Sequence, residues 1–184
     1  MSPASCCLAS AMARHFRRYQ PGDTVGLIKL INAANSGGGG SGWTHEADLF
    51  EGDRIDVAEL LTLLEAPGSM FVLCLEGAEL AGCAYLKPLE NAAYLGLLAV
   101  RPSLQGSGVG KDILRECERI VREEWDGLAI RMTVITQHRP ELTAFYERRG
   151  YSRTGRYKSF DRLQAKTGMK IPGLTLEWME KSLG

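Results

Sequence analysis

The feature that most constrains this chain is an unbroken strand, turn and helix, "AAYLGLLAVRPSLQGSGVGKDILRECERI", from Ala92 to Ile120. Ala92–Val100 is apolar on both faces and therefore predicts a strand at the centre of a sheet. In Lys111–Glu124, Ile113, Leu114, Cys117, Ile120 and Val121 recur at helical spacing and predict an amphipathic helix. A second buried strand, Leu128–Gln137, follows. Strand, crossover helix and strand make a β-α-β unit whose strands are expected to lie parallel. Between the first strand and the helix stand Gly106, Gly108 and Gly110. Small residues there let backbone N–H groups converge on a phosphate, where the helix dipole favours negative charge. The same glycines also fit a tight strand-to-helix turn that binds nothing.

Two phosphate-binding patterns fail on this run. A nucleoside-triphosphate loop ending at Gly110-Lys111 needs glycine at position 105 and a hydroxyl at 112, but the chain has Gln105 and Asp112. A dinucleotide fingerprint starting at Gly106 needs glycine or alanine at 111, where Lys111 stands. A third pattern fits: Gln or Arg, two residues, Gly, one residue, then Gly or Ala, read here from Gln105 to Gly110.

The flanking chain completes one sheet. Ser69–Glu76 and Glu79–Pro88 surround Gly77-Ala78, a two-residue hairpin loop, so an antiparallel meander leads into the central strand. Upstream, Arg14–Gln20 predicts a short strand and Thr24–Ala34 a helix capped by Asp23. Asp56–Gly68 predicts a second helix, with Asp56 and Glu59 as its capping box. "NSGGGGSGW" (Asn35–Trp43) would be a linker in isolation, but too little chain precedes it for an independent core, so it reads as a mobile loop. One helical turn is expected at Glu46–Phe50. Downstream, Pro140–Gly150 predicts a helix with proline in its first turn and glycine at its end. "YSRTGRYKSF" and "LTLEWMEK" are final strands around an unassigned polar segment, Asp161–Gly173. The expected class is α+β (mixed α/β) with one sheet. Residues 1–13 form a poorly ordered lead-in, and 14–184 a single domain.

Composition excludes other classes. The 22 basic and 22 acidic residues cancel, so no overall field gathers nucleic acid or an anionic membrane. No apolar run approaches the ~20 residues of a membrane span. The five cysteines are irregularly spaced and suggest free thiols, which favours a reducing, cytoplasmic setting. The N-terminus lacks the basic start and long apolar centre of a secretory signal. His15, His45 and His138 are scattered and give no metal-site pattern.

The stretch from Leu97 to Ile120 resembles the acyl-CoA-binding motif of the GNAT N-acetyltransferase superfamily. "LTAFYERRGYSRTGR" (Leu142–Arg156) resembles that superfamily's second motif, at the expected separation. "GWTHEADLFEGDRID" resembles the corresponding segment in a subgroup of microbial GNAT-like proteins. The resemblance implies a GNAT-like domain: a mixed, mostly antiparallel sheet with a splayed parallel strand pair, flanked by helices. It implies acetyl-CoA as co-substrate and an amine acceptor, with no metal, nucleic acid or membrane partner. Apolar C-terminal strands often make partner contacts in this superfamily, which leaves a homodimer open.

Carried onto this sequence, the resemblance places the pantetheine arm against Leu98, Ala99 and Val100, where free backbone groups of the splayed strand would be satisfied. The pyrophosphate falls on Gln105, Gly106, Ser107, Gly108, Val109, Gly110 and Lys111. Lys111 adds a charge contact or is simply solvated. Tyr146 matches the tyrosine that protonates the departing thiolate, while Phe145 is the better candidate for core. Arg139 replaces the usual asparagine of the second motif, and contacts a phosphate or an acidic substrate. The central strand lacks the glutamate base of many members: Tyr94-Leu95-Gly96-Leu97 holds no carboxylate. Deprotonation of the amine then falls to water, Glu46, His45 or Glu90, with Glu46 first because it lies in the acceptor-side segment. Trp43 and Tyr94 are further acceptor-side candidates, Trp43 equally serving to anchor its loop. A non-catalytic acyl-CoA sensor, or an enzyme using another acyl donor, are the alternatives.

Overall fold

The computed structural model describes residues 13–36, 52–136, 140–159 and 175–184. Strand β1 is Arg14–Arg18, β2 Met70–Glu76, β3 Glu79–Leu89, β4 Ala92–Val100, β5 Ala129–Val134, β6 Ser152–Ser159 and β7 Thr175–Ser182. Helix α1 is Thr24–Asn35, α2 Val57–Leu64, α3 Val109–Glu123 and α4 Pro140–Glu147. The strands form one seven-stranded sheet in the order β1-β2-β3-β4-β5-β7-β6. Every pair is antiparallel except β4 with β5. The α+β class and the single splayed parallel pair are therefore as expected.

The helices cover both faces of the sheet. The apolar stripe of α3 (Val109, Ile113, Leu114, Cys117, Ile120, Val121) packs with Val72, Leu86, Leu95, Ile130 and Met179 on one face. On the other face Leu27, Leu30 and Ile31 of α1 and Leu60 of α2 pack on Phe71, Leu73, Cys83 and Tyr85. Strands buried on both sides read as continuous apolar runs, which is why β2, β3 and β4 were legible. The close approach of α3 depends on Gly82. A Cβ there would stand 2.6 Å from Ile113 Cδ1 and 2.8 Å from the Ala99 carbonyl oxygen, so neither strand nor helix could keep its place.

Several boundaries differ from the sequence reading for identifiable reasons. Asp56 and Glu59 form the expected capping box on α2, with Glu59 N–H donating to Asp56 Oδ1 at 2.8 Å. Asp23 does not cap α1: Arg17 holds its carboxylate at 2.6 and 2.7 Å, and the Gln20 N–H donates to it at 2.8 Å. Helix α3 begins at Val109 rather than Lys111, because Gly108 takes the N-cap position. Helix α4 ends at Glu147, and the chain turns through Gly150 at φ +86°. The glycine-rich segment beyond Ser36, the turn at Glu46–Phe50, most of the 1–13 lead-in and the 161–173 excursion lie outside the described residues.

At the β5, β6 and β7 end, Glu177 is a buried carboxylate, 1% exposed. It accepts from Arg153 Nε at 2.9 Å, Arg153 Nη2 at 2.6 Å and Thr136 Oγ1 at 3.0 Å. The Arg153 hydrogen bonds, opposed by burial and helped by Thr136, hold its pKa below the ordinary 4.5. A depressed carboxyl adds stability that is complete above its unfolded value and fades as pH falls through the folded one. Glu177→Gln should therefore lower stability by about 1–3 kcal/mol at pH 7, and the gap to wild type should close on acidification below pH ~4.5. Thermal melts of both proteins at pH 7 and pH 4 check this; an equal gap at both would refute it.

Candidate active site

The site is set by where two strands part. Parallel pairing of β4 with β5 covers only Ala92–Tyr94 against Ala129–Arg131. Strand β4 runs on to Val100 along β3, while β5 runs on to Val134 along β7, leaving a wedge between them. A bulge in β4 opens it. Tyr85 opposes Gly96 and Cys83 opposes Ala99, so Leu97 and Leu98 together face Ala84 alone. Leu97 takes φ +47°, a left-handed conformation that costs a non-glycine residue roughly 1–2 kcal/mol. An extra residue bends its strand and ends regular pairing, so β4 turns from β5 just beyond Tyr94. Nothing local in the sequence marks this bulge, since no glycine stands at Leu97.

The glycine turn closes the wide end of the wedge. A single 3-10 turn, Pro102–Leu104, follows β4. Gln105 Nε2 donates to the Val100 carbonyl at 3.3 Å, and Ser107 Oγ donates to the Leu104 carbonyl at 2.6 Å. Gly108 takes φ +91° as the N-cap of α3. The first N–H groups of the helix, those of Val109, Gly110 and Lys111, have no intrahelical acceptor and carry the positive end of its dipole. Gly110 lets this turn press against its neighbours: a Cβ there would lie 3.4 Å from Phe145 Cζ and 3.6 Å from Val100 Cγ2. The turn thus sits at the junction of α3, α4 and the end of β4.

One feature of the turn escapes sequence inspection. Arg14 of β1 reaches across the sheet end to the start of α3. Its Nη1 meets Asp112 Oδ2 at 2.7 Å, its Nη2 donates to the Ser107 carbonyl at 3.2 Å, and its Nε meets Glu76 Oε1 at 2.9 Å. Asp112 puts negative charge where an anion would approach, and Arg14 offsets it. Residues 98 positions apart carry no shared sequence signal.

The remaining candidates fall at different distances from the wedge. Leu98, Ala99 and Val100 line β4 along it, with Leu98 only half-buried. Tyr94 stands at its narrow end. Its ring lies over Gly96, where a Cβ would come within 3.0 Å of it, and its hydroxyl is 3.2 Å from Thr133 Oγ1 of β5. Trp178 packs edge-on against Tyr94 with centroids 6.0 Å apart. Thr133 and Trp178 were not singled out from sequence. Tyr146 is 7% exposed and belongs to the core beside Tyr151, at 5.8 Å between ring centroids. Phe145, expected in the core, is instead half-buried against Gly110 under Arg149. The burial of the two residues is reversed because α4 sets Tyr146 beside Tyr151 in the core and Phe145 against the first turn of α3. Glu90 sits on the β3–β4 turn, eight residues before Leu98, or roughly 25 Å along an extended strand. That placement removes it as a base at the wedge. Trp43, His45, Glu46 and Arg139 lie outside the described residues.

Thiol chemistry is not supported by the described cysteines. Burial pushes the Cys74 thiol up to about 11 and the Cys83 thiol up to about 12, and raises Cys117 further. These groups stay protonated and unreactive near neutral pH. Among the described residues no group of His, Cys, Asp and Glu is arranged to hold a metal, and no helix is long and apolar enough to cross a membrane.

A mixed sheet with a splayed parallel pair, leading into a glycine turn at a helix N-terminus, is the architecture of an acyl-CoA-dependent transferase. The family model for the Acetyltransferase (GNAT) family matches residues 40–151, and the chain belongs to that family. It is similar in structure to a Desulfovibrio desulfuricans protein assigned to the GNAT acetyltransferases: 26% identity, TM-score 0.68, 94% of this chain and 100% of that one. It also shares its fold with a Thermoplasma acidophilum PaiA N-acetyltransferase solved with coenzyme A: 21% identity, TM-score 0.65, covering 93% and 99%. A Vibrio cholerae spermidine N-acetyltransferase solved with CoA and spermine has the same fold: 16% identity, TM-score 0.68, covering 92% and 95%. No curated protein matches the chain in sequence.

Gly108→Ala places a Cβ at φ +91° and should cost roughly 1–2 kcal/mol, read as a lowered denaturation midpoint. Gly26→Ala, within α1 with open space at its Cβ, should instead match or exceed wild type. Equal midpoints for Gly108→Ala and wild type would remove the left-handed cap from the account.

Proposed function

We propose that this protein is an N-acetyltransferase that moves an acetyl group from acetyl-CoA to a primary amine of a small molecule or protein. The observation that carries this reading is the wedge between β4 and β5, open from Leu97 to Val100 and ending on the N-terminus of α3. An extended amide-bearing arm fits such a wedge, because it can pair with backbone groups that β5 does not use. The diphosphate that ends the arm suits the N–H groups at Gly106–Lys111.

Each group of the chain then has a defined task. A backbone N–H in Leu98–Val100 polarises the thioester carbonyl and stabilises the oxyanion formed when the neutral amine attacks. Tyr146 donates a proton as the carbon–sulfur bond breaks. A phenol near pKa ~10 is a weaker acid than a thiol near ~8.5, so the proton moves in concert with collapse of the tetrahedral intermediate. The amine loses its proton to water or to Glu46. Tyr94, bridged to Thr133 across the narrow end of the wedge, borders the acceptor.

A second reading, a module that binds acyl-CoA without turnover, is favoured by one observation. Strand β4 has no carboxylate at its centre, and the Tyr94 ring covers Gly96. Incubation with acetyl-CoA and a panel of amines, followed by thiol release, separates the two. Turnover supports the enzyme, and CoA binding with no turnover on any amine supports the sensor. For the enzyme, Tyr146→Phe should lower kcat about a hundredfold or more while leaving acetyl-CoA affinity within twofold. Unchanged kcat would remove Tyr146 as the acid.

Arg14→Gln leaves the Asp112 carboxylate with only the longer contact to Arg115, at 3.9 Å, and should weaken CoA binding about fivefold, read by calorimetric titration. Adding Asp112→Asn should return most of the loss. No change in Arg14→Gln would show that this ion pair does not touch the anion site.

A further inference from the structure

The narrow end of the wedge is barred by side chains. Tyr94 is the last residue of β4 paired with β5, opposite Arg131. Its side chain does not stay at that level. The ring leans two residues forward, over Gly96, where a Cβ would stand 3.0 Å from ring atom Cε1 and 3.7 Å from the hydroxyl. The hydroxyl meets Thr133 Oγ1 at 3.2 Å, two residues beyond Arg131 on β5. The two hydroxyls therefore bridge the strands just where pairing has stopped, at the level of Gly96 and directly before the Leu97–Leu98 bulge. Side chains on a strand lean along it, and this one leans toward the open part of the wedge.

Trp178 backs the bridge from β7. It pairs with Thr133 in the sheet, and its ring meets the Tyr94 ring edge-on with centroids 6.0 Å apart. A ring held by an edge-to-face neighbour and by its own hydroxyl has little freedom to swing aside. Tyr94, Thr133 and Trp178 are each only half-buried, so part of each faces open space and not core. The ring also takes the space that a side chain at position 96 would need.

We propose that Tyr94, pinned by Thr133 and Trp178, sets the length of the acyl group and stops the donor's chain after two or three carbons. This rests on the reading that the pantetheine arm enters from the turn at α3 and that a backbone N–H in Leu98–Val100 holds the thioester carbonyl. The acyl group then continues toward the narrow end. From Leu98 back to Gly96 is roughly 7 Å of extended strand, and less across a bulge. An acetyl methyl fits that interval. A butyryl chain adds two methylenes that run into the Tyr94 ring, and a closed apolar site distinguishes such a difference by roughly tenfold or more. Tyr94 thus faces the acyl terminus as well as the acceptor.

The test titrates the full-length protein by calorimetry with free CoA, acetyl-CoA, butyryl-CoA and hexanoyl-CoA, so that no acceptor is needed. Wild type should bind acetyl-CoA about tenfold more tightly than butyryl-CoA, and hexanoyl-CoA no better than butyryl-CoA. Tyr94→Ala removes the ring and should bring the three acyl donors within about threefold of one another. Thr133→Val removes the hydroxyl that pins the ring without removing the ring, and should narrow the acetyl-to-butyryl ratio to about threefold. Circular dichroism follows the folding of both variants, and Thr133→Val carries the test if Tyr94→Ala does not fold. Equal wild-type affinities for acetyl-CoA and butyryl-CoA overturn the stop and leave the donor reading standing. A ratio unchanged in the folded variants also overturns it, because another part of the chain would then limit the acyl group. Binding of neither CoA nor any acyl-CoA by wild type overturns both readings.

Discussion

The early end of one strand pairing organises this molecule. Strands β4 and β5 share a parallel register only at Ala92–Tyr94 and Ala129–Arg131. Beyond it the Leu97–Leu98 bulge draws β4 along β3, while β7 keeps β5 on its own course. Parallel neighbours require a crossover, and that crossover is α3 with the glycine turn at its start. The wedge and the turn are therefore two ends of one constraint. The strain of Leu97 at φ +47° persists because β3 on one side and two packed cores over-determine it.

Around that wedge, packing and charge divide the work. Gly82 lets α3 lie close to β3 and β4, and Gly110 lets its first turn meet Phe145 and Val100. These approaches hold the helix N-terminus at the end of the central strand. Arg14 matches Asp112 at the start of α3, at 2.7 Å.

Much of this was legible in the chain, and the limits have physical causes. Both strands of the β-α-β unit and its helix follow from apolar periodicity, because burial on two faces or on one stripe writes itself into the residue order. The capping box at Asp56 and Glu59 is local and was read correctly. Asp23 looked like the same signal, but Arg17 competes for its carboxylate, and an ion pair six residues away outweighs the cap. Phe145 and Tyr146 are adjacent, so periodicity could not say which faces the sheet. The packing of α4 decides that, setting Phe145 against Gly110 and Tyr146 beside Tyr151.

The sequence by itself determined the class of fold, the parallel crossover and a turn suited to phosphate, since each depends on neighbours in the chain. Only the tertiary structure decided where β4 and β5 part, that Arg14 reaches Asp112, and that Glu90 lies at the β3–β4 turn. A bulge without glycine and an ion pair between Arg14 and Asp112 are set by groups far apart in the chain. Their energies come from groups that meet in space, and the order of residues along the chain holds no trace of them.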